Sequence, residues 1–202
     1  MFKFLRRKKP FDYPGIEPPF EFKPIREMNN DEAQRNFEWF VSQSEPRRKL
    51  LLDGIAATGG NAGACDYSAQ SLVPLWKSMS RFFEERPMTS AERQSFRDSL
   101  PEAARGLEKF ENPRELTTAT LCYGIDIGFY VAEVFMREYP HVHWVLWKNR
   151  GHAFNKPVLA GFKLPLIPSD LVTGSIWKSF KDSNGTVLLD AFKVWEKDLS
   201  DS

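Results

Sequence analysis

The sequence predicts an α+β domain, mainly helical, with N-terminal helices packed on a C-terminal α-β-β-α-α unit that carries a small β-hairpin. Three observations predict it. Apolar residues recur at helical spacing over much of residues 31–86. One run, TTATLCYGIDIGFYVAEVFMREY, is apolar almost all round and reads as a long helix over 117–139, buried on several sides. After Pro140, VHWVLWK and then Val158 to Phe162 read as two short strands, joined across RGHAFNK as a hairpin.

The elements follow in order. Residues 1–30 read as an extended arm: five of the first ten are Lys or Arg, and the prolines of FDYPGIEPPFEFKP forbid a regular helix. Its aromatics Phe11, Tyr13, Phe20 and Phe22 point to an arm lying on the domain. Ala33, Phe37, Phe40 and Val41 mark a helix that Asn30 or Asp31 can cap. Pro46 suits the first turn of the next helix, which Gly59-Gly60-Asn61 ends. A third helix is expected from Ser68 to Arg86, starting or kinking at Pro74, with a stripe through Leu72, Leu75, Trp76, Met79 and Phe83. Short helices are expected around 91–100 and before Asn112-Pro113. Pro168-Ser169 opens a helix through Lys181, and Gly185 precedes a last one bearing Leu188, Phe192, Trp195 and Leu199. Residues 31–202 thus read as one globular domain, helical over 31–115 and α-β-β-α-α over 116–202. Two strands alone are marginal, so helices must cover the hairpin or other strands must pair with it.

Composition bounds the function. Acid and base nearly balance, at a net charge of +1, which argues against a dedicated nucleic-acid binder. Cys65 and Cys122 form no CxxC pair, so no thioredoxin-like or Cys-rich zinc site is available, and reduced thiols fit a cytoplasmic protein. The basic start is not followed by the apolar region of a secretory signal. No stretch of about 18 uncharged apolar residues occurs, so no transmembrane helix is expected, though residues 1–10 give a weak membrane-surface reading. No Walker loop, GxSxG elbow, HExxH or dinucleotide fingerprint is present, and no cofactor is expected.

Three constellations remain. Asp126, Tyr130 and Glu133 share one helix face by their spacing of four and three. Carboxylates inside so apolar a helix must be paired, face a cleft or be protonated. Arg47, Arg48 and Lys156 are candidate partners, as are indole N–H groups. The opposite reading makes Asp126 and Glu133 an acid–base pair, with His143 beside them, in a hydrolase or metal-dependent enzyme. His141, His143 and His152 lie close in sequence and make a weak zinc candidate, with structural packing the plainer reading for His143. Trp144 and Trp147 alternate on a strand, and an exposed Trp near Asn155 and Lys156 suits an anchor for a protein partner.

The phrases NFEWFVSQSEPRRKLL, DYSAQSLVPLWKSMS, YGIDIGFYVAEVFMREYPHVHW and NKPVLAGF, in that order, resemble an uncharacterised family of bacterial proteins, mainly Gram-positive, over residues 36–197. These are packing phrases, so the resemblance implies a fold group and no activity. A link to toxin–immunity loci is an analogy at that level. The leading expectation is a non-catalytic cytoplasmic interaction protein, immunity-like, that meets a protein partner through the hairpin face.

Overall fold

A computed structural model describes residues 13–102, 113–182 and 184–199. The basic tip 1–10, Phe11 and the short helix expected before Asn112-Pro113 lie outside them. The architecture is mainly helical α+β, with two small antiparallel two-stranded sheets.

Helix α1 spans Asn30–Ser42 and begins one residue earlier than the apolar pattern implies. Asn29 is its cap: the Asn29 side chain accepts from Glu32 N, and the Glu32 carboxylate accepts from Asn29 N, both at 2.9 Å. The correction has a simple cause, since three adjacent cap-forming residues differ only in which one has Glu three places on. Ala33 and Asn36, not the aromatics of the stripe, are its buried residues. Helix α2, Ser44–Ala57, holds Pro46 in its first turn. Gly59 follows in the left-handed region at φ +80°, where a side chain would be strained.

The third helix is shorter than expected. Helix α3 covers only Leu72–Met79, between 3-10 turns at Ala69–Ser71 and Ser80–Phe82. Pro74 sits in its first turn, where no hydrogen bond is lost. Beyond it the chain turns into strand β1, Glu85–Pro87, which pairs with β2, Arg114–Leu116. Glu84 explains the switch: its N–H donates to Thr120 Oγ1 at 2.8 Å, and Thr120 Oγ1 donates to its carbonyl at 3.0 Å. That exchange ties the chain to the start of the long helix. Helix α4, Ser90–Ser99, lies between the two strands and is capped by Thr89 in a second capping box.

Helix α5 spans Thr118–Glu138 with Thr117 as its cap. It packs chiefly against α2 and against α6, Pro168–Ser179. Gly128 makes the second contact possible, because a Cβ there would lie 3.1 Å from Ser169 N and 3.3 Å from Pro168 C. By length and composition α5 is long and apolar enough to cross a membrane, although Asp126 and Glu133 break its uncharged run, and 72% of its most apolar window is buried inside the fold.

The hairpin forms from β3, His143–Leu146, and β4, Pro157–Ala160, with Trp144 opposite Leu159 and Val145 opposite Val158. Both strands are shorter than the apolar runs that predict them. The other edge of β4 is satisfied locally: Leu159 and Leu166 exchange backbone bonds at 2.8 and 3.1 Å. Helix α7, Val187–Glu196, closes the chain, and Leu199 falls beyond it in a bridge with Phe162. One apolar cluster joins Leu51 and Ile55 of α2, Leu72 and Trp76 of α3, Phe135 of α5, Leu159 of β4, Ile176 of α6 and Phe192 of α7. The expected helical and α-β-β-α-α parts therefore share a single core.

Candidate functional site

The two candidate acids of α5, Asp126 and Glu133, lead to different places. Asp126 is fully buried. Arg47 Nε donates to its Oδ1 at 2.7 Å, and the Tyr13 hydroxyl donates to its Oδ2. Arg47 is itself clamped, with Nη1 donating to the Pro14 and Gly15 carbonyls at 3.0 Å each. Burial raises the Asp126 carboxyl above its ordinary range, and the Arg47 and Tyr13 hydrogen bonds pull it back part of the way. The Tyr13 hydroxyl is held protonated by burial and by the charge of Asp126. The helix thus uses Asp126 to fasten the arm, a role that its spacing on α5 gives no hint of.

Glu133 lies two turns further along, at the rim. It pairs with Arg48 Nη1 and with Arg137 Nε, both at 2.7 Å. Arg48 and Arg137 also flank the Tyr67 ring, at 5.6 and 4.2 Å from its centroid. Tyr67, at φ +66°, stacks on Tyr130 with centroids 4.6 Å apart. The Tyr130 hydroxyl accepts from Tyr67 N at 3.0 Å and bonds Ser71 Oγ at 2.7 Å. Burial pushes that hydroxyl up to about 12. Tyr130 therefore pins the 67–71 loop onto α5 and offers no free group to a ligand.

His143 does not join these acids. It starts β3, is exposed, and its Nδ1 bonds the His141 carbonyl at 2.8 Å. His152 lies in the hairpin loop, with Nε2 2.7 Å from Asp170 Oδ2. Among the described residues no three His, Cys, Asp or Glu side chains gather as a metal site would need. Lys156 is not a partner of the α5 acids either. It belongs to the hairpin end, 3.7 Å from Asp170 and 3.4 Å from His152 Nε2.

The aromatic candidates divide between core and surface. Trp144 is half-buried against Phe40 and Phe129. Trp147 lies just beyond β3, so the strand alternation does not place it, and it is also half-buried. Asn155 is a structural residue: at φ +59° it turns the loop, and its Nδ2 donates to the Met28 carbonyl at 3.0 Å and to the Ile25 carbonyl at 3.3 Å. It stitches the arm to the hairpin.

Two open clefts meet at this end of the molecule. One, of about 600 Å³, lies under the hairpin loop between Trp147, His152, Leu164 and Trp195. The other, of about 480 Å³, lies between the arm, α1 and the start of α6. They share Ile167 and Asp170, so they adjoin across the hairpin–α6 junction as two halves of a divided trough. Exposed apolar side chains sit in both: Leu164, 65% exposed, in the first, and Phe22, 52% exposed, in the second. Asp126, Glu133 and His143 line neither. Of the sequence candidates, Trp147, His152 and Lys156 line these clefts; Phe22, Trp39 and Leu164 line them too, and the one sign of that in the sequence is the unpatterned apolar residues of the arm and of the 161–167 turn. No family model, curated protein or solved structure matches the chain.

Proposed function

We propose that the chain is a non-catalytic binding protein that engages an apolar segment of a protein partner through the trough flanking the hairpin loop. The observation that carries this reading is the adjacency of the two clefts, with exposed Leu164 in one and exposed Phe22 in the other. A groove of clustered apolar side chains with a few polar groups at its rim suits partner recognition. The charged side chains between the clefts, Lys156 and Asp170, balance each other, with His152 bonded to the same carboxylate, which favours apolar contact over a strongly charged partner. The enclosed pairing of Asp126 speaks against the hydrolase alternative, which needs Asp126, Glu133 and His143 to converge. Two free buried cysteines favour a reducing compartment, hence the cytoplasm. An immunity-like role is the specific form of this proposal: the partner would be a protein whose apolar surface the trough covers.

The test is quantitative capture from native lysate by the wild-type chain and by Leu164→Asp, which puts a charge in the trough at an exposed position. A reproducible partner lost by Leu164→Asp is the expected result. Equal capture by both chains, or capture by neither, removes the reading.

A further inference from the structure

Asn36 is 97% buried, being only 3% exposed, yet its Oδ1 has no hydrogen-bond partner. It occupies one of the two buried positions of α1, beside Ala33, where an aliphatic residue would pack without loss. Buried amides are nearly always satisfied, so one that is not needs a reason. Asn36 lines the 480 Å³ cleft between the arm and α6. Aromatic and aliphatic side chains, Phe22, Ile25, Trp39, Phe40 and Ile125, surround the same space. The N-terminus of α6 also reaches it through Ser169, and that helix has no side-chain cap.

We propose that this cleft is a binding site for a small neutral molecule with an aromatic or branched aliphatic body and an amide-type head group directed at Asn36. An amide both donates and accepts, as Asn36 does, so the two can satisfy each other. Charge selects against an ionic head. Lys156 is balanced by Asp170 at 3.7 Å, and the rim adds Glu17, so an anion meets net repulsion. A cation would gain only the exposed rim charge of Glu17 and would lose its hydration against the neutral Asn36 amide. The volume and the mostly apolar lining match those of small-molecule sites. Leu164 does not line this cleft, so the site is separable from the protein-docking end of the trough.

Phenylacetamide, phenylacetate and phenethylammonium, which share a ring and differ in head group, are the probes. Each is titrated into the ¹⁵N-labelled full chain while the Asn36 side-chain NH₂ and the Trp39 indole N–H are followed by NMR. The expected result is saturable movement of both signals with phenylacetamide, and binding at least about tenfold weaker for the two ions. Asn36→Leu folds at least as stably as wild type and loses the preference for the amide head. Phe22→Ala, at an exposed position, weakens phenylacetamide without lowering stability. Leu164→Asp binds phenylacetamide as wild type does, whether or not it captures a protein. No saturable movement at Asn36, equal binding of the three head groups, or a less stable Asn36→Leu would each overturn the proposal.

Discussion

At the scale of the residue, the chain separates two kinds of buried polar group. Asp126 and Tyr130 are satisfied; Asn36 is not. The Arg47–Asp126 pair carries the larger consequence. Removing one partner of a buried pair leaves an uncompensated charge and costs about 3–5 kcal/mol. Arg47→Met should therefore lose stability on that scale at neutral pH, read by urea unfolding. The pH dependence follows from the sign of the Asp126 shift. A carboxyl whose folded pKa lies above its unfolded value favours the fold while protonated, and that contribution is lost as pH rises through the folded value. Without Arg47 the folded value moves higher still. The deficit of Arg47→Met relative to wild type should thus be smaller at pH 4.5 than at pH 7. A deficit that is unchanged or larger at pH 4.5 would mean that Asp126 does not carry it. Two things at this scale are legible in the sequence: that acids in so apolar a helix need partners, and that Arg47 and Arg48 are among the candidates to supply them, although Lys156, the third, pairs elsewhere. Tyr13 was not, because a contact 113 residues away along the chain leaves no local pattern.

At the scale of the element, the sequence signal was strongest where periodicity was long. Helix α5, with 21 residues, was legible within about one residue at each end. The three-residue strands β1 and β2 were not, because so short a segment has no period to read. Nor was the end of α3, where the apolar stripe runs on through Phe83 although the helix stops at Met79. Phe83 still reaches the core, against Trp76 with centroids 5.1 Å apart, but from an extended backbone. The packing of α5 on α6 depends on Gly128 in a way that hydrophobic spacing cannot express. Its added Cβ would press on backbone atoms of Pro168 and Ser169, which cannot rotate away. Gly128→Ala should cost about 1–3 kcal/mol by overpacking, despite the better helix propensity of alanine. Thermal unfolding checks this, with Gly124→Ala as the comparison, since a Cβ there meets its nearest neighbour, Ile176 Cδ1, at an ordinary 3.5 Å. Equal effects of the two substitutions would remove Gly128 as the closest approach of the helices.

At the scale of the whole molecule, the arm, the hairpin and the start of α6 come together at one end, and Asp126 of α5, with Arg47, holds the arm there without facing its clefts. Tyr13 and the carbonyls of Pro14 and Gly15 meet Arg47 and Asp126, while the carbonyls of Ile25 and Met28 meet Asn155. The arm is thereby fixed at both ends of its described length, with Phe22 exposed between them. The sequence suggested an arm lying on the domain and a binding face at the hairpin. It did not suggest that the first builds part of the second, since only the folded chain brings residues 16–25 beside 156–170. Hydrogen exchange of the chain alone and in complex with a captured partner tests the binding face most directly. New protection is expected at residues 147–155 and 164–171, with residues 65–71 and the end of α5 around Glu133 unchanged. Protection centred on Glu133 and the 65–71 loop, with the hairpin end unchanged, would contradict it.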